Sequence, residues 1–425
     1  MNTVTLPGLP GVGPEGQPAA PALHTPFRLP CGAVLKNRLV KAAMSEQLGD
    51  RRHDPGPGLD VLYGQWARGG VGLSISGNIM VDRQAIGEVG NVVLDGNSDL
   101  AAFRRWTHAA AGNDSHFWAQ LNHPGKQIIK LLCKEPMAPS AIGLGAGLEK
   151  YFNRPRALTE QGIDTIICQF ATSARLAKAA GFSGVQIHGA HGYLVNQFLS
   201  PVHNQRNDRW GGSLENRMRF VVEVCRAIRE VVGPDFPVGI KLNSADFMRG
   251  GFSEDESLQV VLALDKLGLD QLEISGGTYE NPVMTGVQAP STQQREAYFL
   301  NYAARVREVC QLPLVVTGGF RSAAAMSAAL VCGATDFIGL ARPMALEVDM
   351  PNRLMSQRQH RVDLRPLSTG FAALDRIATL NVSWYEHQLQ RMARHQAPDP
   401  AMSEWLSLGK TLLSLAGCLG RRRGR

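Results

Sequence analysis

A chain of 425 residues, 44% hydrophobic and with 45 glycines, can bury a large core and is neither fibrous nor disordered in composition. Arg421, Arg422, Arg423 and Arg425 supply four of its seven net positive charges, so the body is only mildly basic and nucleic acid is disfavoured as a partner. The seven cysteines, at 31, 133, 168, 225, 310, 332 and 418, form no Cys-x-x-Cys pair, which argues against zinc ribbons, redox dithiols and iron–sulfur clusters and fits reduced, mostly buried thiols in a cytoplasm.

Residues 1–24, rich in Gly, Pro and Ala, read as a flexible leader; they lack the positive and apolar regions of a signal peptide. No apolar run approaches the roughly 20 residues that cross a bilayer, so no membrane segment is expected. From residue 25 to 362, short apolar runs alternate with amphipathic helical patterns. The expected strands are Leu39–Ala43, Val71–Ser76, His116–Leu121, Gly184–His188, Val238–Asn243, Gln271–Ser275, Leu314–Thr317 and Phe337–Leu340. Helices are clearest at Gly162–Ala180, Leu214–Val232, Glu254–Leu267, Glu296–Cys310 and Ser322–Cys332, with Ser213 as a good N-cap. Eight strands, each with room for a following helix, predict a (β/α)8 TIM barrel; no Gly-x-Gly-x-x-Gly follows the first strand, which weakens a dinucleotide fold. Residues 363–425 read as a helical C-terminal extension ending in a basic tail. Its segments Leu374–Arg394 and Met402–Leu419 flank Ala397-Pro398-Asp399-Pro400. Leu408, Leu412, Leu415 and Leu419 share one face, expected to pack on the barrel or on a second copy in a homo-oligomer.

A barrel carries its site at the carboxyl ends of its strands. Ser45, Gln120, His188, Lys241, Gly318-Gly319 and Arg342 all fall there. The loops after strands seven and eight, Val316 to Phe320 and Gly339 to Pro343, suit a phosphate. Gly318 and Gly319 allow close approach of backbone N–H groups, the helix from Ser322 adds its positive end, and Arg342 offers a fork. The fourth strand runs into His188-Gly189-Ala190-His191-Gly192-Tyr193, where two glycines let two imidazoles and a phenol turn into one pocket. Taken alone, His-x-x-His also suits core residues or a metal pair.

The longer run resolves this. HGAHGYL, QFLSP and N-x-R-x-D-x-W-G-G-S-x-E-N-R, within Gly181 to Phe220, resemble the old yellow enzyme family of flavin oxidoreductases. The resemblance extends over Leu35 to Pro351 and implies FMN, NADH or NADPH as co-substrate, and a small unsaturated carbonyl compound as substrate, with no metal. It implies that His188 and His191 hydrogen-bond the substrate's carbonyl oxygen and that Tyr193 donates a proton. Gln120 would read the flavin's pyrimidine edge, and Gly318, Gly319, Ala341 and Arg342 would hold the 5′-phosphate. Lys241 stands where the family usually has arginine, so the charge is kept and the bidentate fork lost. Ala43 replaces a usual proline, beside Met44. Ser45 falls at a threonine or cysteine position near flavin O4, and Asn78, after strand two, would meet the flavin's edge. One site serving two substrates in turn implies ping-pong kinetics. The four-cysteine cluster segment of the larger, dienoyl-CoA-reductase-like members is missing. A flavin NADH oxidase or a thioester reductase stays open, as do two more distant classes: an aldolase using Lys241 as a Schiff-base amine, and a tRNA-acting flavoprotein.

Overall fold

Strands buried on both faces must be apolar almost throughout, which is why the runs above are legible. In the computed structural model, which describes residues 22–282, 296–357, 359–371 and 378–422, eight of them pair in parallel and close on themselves. They are β1 (Leu39–Lys41), β2 (Leu73–Met80), β3 (His116–Asn122), β4 (Gly184–Gly189), β5 (Val238–Asn243), β6 (Gln271–Ser275), β7 (Leu314–Thr317) and β8 (Phe337–Leu340). Closure comes from β8 against β1, Ile338 opposite Leu39, and β1 against β2, Val40 opposite Leu73. The fold is the expected (β/α)8 TIM barrel.

The surrounding helices are α1 (Pro57–Arg68), α2 (Leu100–Ala110), α3 (Glu160–Ala179), α4 (Leu194–Leu199), α5 (Leu214–Val232), α6 (Glu254–Asp265), α7 (Leu300–Val309), α8 (Ala323–Val331) and α9 (Met350–Ser356). The side chains of Thr159, Ser213, Ser253 and Ser322 accept the first free N–H groups of α3, α5, α6 and α8. Helices α1 and α2 were not among the clearest readings: α1 opens on Pro57-Gly58 and carries Gly64 mid-helix, which blurs its pattern.

The amino-terminal end of the barrel is plugged by Trp118 of β3, fully buried with Leu35, Val40, Leu73, Ile75, Val315 and Phe337. Its ring explains two glycines: a Cβ on Gly184 or Gly239 would lie 2.5 or 2.9 Å from the indole. The larger core lies between strands and helices and includes Leu23. Leu23, read as part of the leader, therefore belongs to the folded core; residues 1–21 lie outside the described residues, as do 423–425 of the basic tail.

After β8 the chain adds α10 (Ala378–Met392) and α11 (Glu404–Arg422). Trp384 Nε1 donates to Met402 O at 2.9 Å, and Gln65 Nε2 of α1 donates to Met392 O at 3.1 Å, which ties both helices down. The leucine stripe divides: Leu408 packs on the core, whereas Leu412 is 67% exposed. The side chains of Leu415 and Leu419 lie outside the described residues. The thiols also differ from expectation. Cys225 and Cys310 are buried, but Cys31 and Cys133 are half-buried, and Cys168 on α3 and Cys332 just past the end of α8 are exposed. No described helix is long and apolar enough to cross a membrane.

Candidate active site

The carboxyl rim gathers the expected side chains. Ala43, Met44 and Ser45 follow β1; Gln120 and His188 lie in β3 and β4; Lys241 lies in β5 directly beside His188. Gly318-Gly319 follow β7, and Ala341-Arg342 follow β8. Asn78, read as following the second strand, lies inside β2 at a register shift, opposite Gln120.

The turn leaving β4 is tightly built. His188 and His191 ring centroids stand 5.0 Å apart, and the Tyr193 ring lies 4.7 Å from His188. His191 holds a left-handed backbone at φ 61°, rare for a side chain of this size. Its N–H donates to Asn243 Oδ1 at 3.1 Å, and Gly192 N donates to Asn196 Oδ1 at 2.8 Å. Gln127 Nε2 and Gln197 Nε2 donate to the carbonyls of His191 and Gly192 at 3.0 and 2.6 Å. Asn196 in turn donates to the buried Asp246 at 3.0 Å. Gly192 is obligatory: φ is 79°, and a Cβ would meet Gln127 Oε1 at 2.5 Å.

Burial holds both imidazoles well below their usual pKa, and the Lys241 charge adds to the effect. Both are therefore neutral at pH 7. Ala190 N donates to His188 Nδ1 at 3.3 Å, which leaves the ring proton on Nε2. His191 Nε2 and Ser275 Oγ are 2.7 Å apart. Burial also raises the Tyr193 phenol, with Glu88 and Glu386 adding to the shift, so it stays protonated.

Beneath the turn lies a buried polar layer. Gln120 Nε2 donates to Gln186 Oε1 at 2.8 Å, and Gln186 Nε2 donates to Glu273 Oε2 at 2.8 Å. Glu273 Oε1 accepts from Thr317 Oγ1 at 2.8 Å and lies 2.9 Å from Lys241 Nζ. Lys241 is thus not an isolated cation: its charge is balanced by Glu273, which is fully buried. A second pair stands on β1, where Lys41 Nζ donates to Tyr63 Oη at 2.8 Å and lies 3.9 Å from Glu46. Burial pulls Lys41 down to about 8, partly opposed by Glu46.

Besides Lys41, Gln186 and Glu273, three contributors on the rim escaped the sequence reading: Glu88, Glu386 and Tyr279. Ser45 Oγ donates to Glu88, and Gln47 Nε2 donates to Glu386 Oε2 at 2.9 Å, so helix α10 delivers a carboxylate to the rim. Burial pushes both carboxyls up, most strongly Glu386, where the neighbouring Glu88 adds to it. Tyr279, in the loop after β6, places its hydroxyl 3.0 Å from that of Tyr193.

The phosphate cradle differs in one respect from expectation. Gly318 and Gly319 have φ of 137° and 85°, and Arg342 has no ion-pair partner among the described residues. The amides of Arg321 and Ser322, however, both donate to Glu296 Oε2, at 2.8 and 3.0 Å. The start of α8 is therefore already satisfied by a carboxylate, leaving the glycine backbone and Arg342 for an anion.

The second half of the long motif is structural. Asn204 Nδ2 donates to Phe198 O and Trp210 O, both at 2.8 Å; Arg206 donates to Asp208, Pro139 O and Leu158 O; and Arg217 pairs with Glu256. These contacts hold the loop that carries α4 against the barrel.

Comparisons with known proteins agree with the fold. The model of the NADH:flavin oxidoreductase / NADH oxidase family matches residues 22–361. The chain is 40% identical over 357 residues to the NADH-dependent flavin oxidoreductase iliE of Neonectria sp. (strain DH2), covering 77% of this chain but only 46% of that protein. It is 37% identical over 353 residues to the NADH-dependent flavin oxidoreductase iliE of Hypocrea jecorina (strain QM6a), covering 78% of this chain and 88% of that protein. Among solved structures, the old yellow enzyme homologue from Zymomonas mobilis superimposes with a TM-score of 0.68 at 25% identity, covering 81% of this chain and 95% of that one.

Proposed function

The chain belongs to the NADH:flavin oxidoreductase / NADH oxidase family, and from that premise we propose that it reduces the C=C bond of α,β-unsaturated carbonyl compounds, using FMN and NADH or NADPH by a ping-pong mechanism. The site fits FMN on two grounds. Arg342, with no ion-pair partner among the described residues, follows β8, which pairs with the strand leading into the two glycines, and Asn78 Oδ1 is buried on the rim with no hydrogen-bond partner among them. Gly318, Gly319, Ala341 and Arg342 would hold the phosphate, and Ala43, Met44, Ser45, Asn78, Gln120 and Lys241 would line the ring. Bound there and reduced by the nicotinamide nucleotide, FMN would supply hydride chemistry to the substrate's β-carbon.

The observation that carries the reading is the pair of neutral imidazoles beside a protonated phenol. His188 keeps its proton on Nε2. Ser275 Oγ lies 2.7 Å from His191 Nε2; with the hydroxyl as donor, His191 keeps its own proton on Nδ1. Two N–H donors aimed at one carbonyl oxygen polarise the alkene and stabilise the enolate charge that builds up as it accepts hydride. Neutral donors suit this role at pH 7, since neither must lose a competing charge. Tyr193 then gives its proton to the α-carbon. Lys241, paired with Glu273 at 2.9 Å, would offer its N–H donors to the ring.

The test separates the half-reactions. Tyr193→Phe should slow reduction of 2-cyclohexenone by about a hundredfold or more, while flavin reduction by NADH stays near the wild-type rate. Equal losses in both steps would remove the donor role.

A further inference from the structure

Tyr279 lies outside every motif of the sequence, yet its phenol oxygen is 3.0 Å from that of Tyr193, with ring centroids 6.0 Å apart. Tyr193 is only 6% exposed, whereas Tyr279 is half-buried at the barrel mouth. Its position is fixed on both sides. Thr278 N donates to Asn281 O at 3.0 Å and Asn281 N returns a bond to Thr278 O at 3.1 Å, which closes a two-residue turn with Tyr279 and Glu280 at its tip. Glu280 is itself anchored: its Oε1 accepts from Gly145 N at 2.7 Å, and its Oε2 lies 3.2 Å from His203 Nε2. His203 Nδ1 accepts in turn from Lys126 Nζ at 2.9 Å. Such an anchored tip holds the Tyr279 hydroxyl on Tyr193, and Asn78 Nδ2 approaches the same Tyr193 oxygen at 3.4 Å.

We propose that Tyr279 is a proton relay, returning a proton from water to Tyr193 after each alkene reduction. The proposal rests on the reading of Tyr193 as the proton donor. As hydride adds to the β-carbon, the Tyr193 O–H bond breaks and a C–H bond forms at the α-carbon, leaving a phenolate. The Tyr279 O–H then transfers its proton across the 3.0 Å contact, and Tyr279 recovers one from water. Each product thus consumes one solvent proton, and the relay itself undergoes no oxidation or reduction. Burial keeps both phenols protonated at neutral pH, with Glu88 and Glu386 facing the pair, so both O–H groups are available when a turnover begins. Asn78 and Tyr279 together offer the transient phenolate two donors, and of the two tyrosines Tyr279 is the one partly exposed to solvent.

The experiment is rapid-quench product formation by the FMN-loaded enzyme with saturating NADH and 2-cyclohexenone, comparing wild type, Tyr279→Phe and Tyr193→Phe. In Tyr279→Phe the first product per site should form within about twofold of the wild-type rate, because Tyr193 still carries its own proton. Later turnovers should be slower by about tenfold or more, and raising the imidazole buffer concentration should restore them, because a small acid can replace the relay. A tyrosine that only shaped the pocket would slow the first turnover as much as the rest and give no buffer rescue. That result, or steady turnover equal to wild type, would overturn the relay. If instead Tyr193→Phe forms its first product at the wild-type rate, the donor reading fails, and the relay with it.

Discussion

Glu273→Gln should be among the most damaging single substitutions in this barrel. Glu273 is fully buried in β6, and its carboxylate takes three bonds: from Gln186 at 2.8 Å, from Thr317 at 2.8 Å and from Lys241 at 2.9 Å. An amide keeps the shape but presents an NH2 to one of those donors, and it leaves Lys241, 4% exposed, without its balancing charge. Breaking a buried pair from one side costs about 3–5 kcal/mol, far more than a surface ion pair contributes. Removing both charges is much gentler, since no ion is then stranded. The double variant Lys241→Met/Glu273→Gln should therefore recover most of the loss. Urea unfolding of wild type, both single variants and the double variant gives the four values needed. A loss below about 1 kcal/mol for Glu273→Gln, or a double variant no more stable than it, would refute the reasoning.

Two further substitutions probe a buried histidine just after β3 and the backbone of the glycine cradle. Burial holds His123 at about 4, against about 6.5 for an unperturbed histidine. Between those values the unfolded chain binds a proton that the folded one refuses, so stability falls as pH drops from about 6.5 to 4, by up to about 3 kcal/mol. His123→Asn should flatten that acid limb; urea midpoints at neutral and acid pH with the wild-type slope would count against it. Gly319 has φ of 85°, and a Cβ there would lie 2.8 Å from the Tyr298 ring, so Gly319→Ala should raise the FMN dissociation constant by about tenfold or more. Gly333→Ala, with φ of 74° but open space, is the control: it should cost stability and leave FMN affinity alone.

The barrel was legible because its strands are buried on both faces, which forces continuous apolar runs, and because Gly189 and Gly192 mark the sharp turn that carries the imidazoles and phenol. Lys41 and Glu273 were legible in principle: a charge inside an apolar run has to find a partner across the barrel. Which partner it finds depends on register, and a single strand does not carry that information. Tyr279, Glu88 and Glu386 were not legible. They come from two loops and a helix far along the chain, and only the closure of the barrel brings them to Tyr193. The leucine stripe shows the same limit from the other side. Periodicity assigned Leu408 and Leu412 to one face of a helix, but only Leu408 packs on the core and Leu412 is left exposed.

The most direct test is the visible spectrum of the purified protein under anaerobic conditions, followed through addition of NADH and then 2-cyclohexenone. A flavin spectrum that bleaches with the nucleotide and returns with the enone, one equivalent of saturated ketone forming per flavin, is the predicted result. A flavin that bleaches but recovers only in air would contradict enone reduction, and a colourless protein that takes up no added FMN would contradict the site itself.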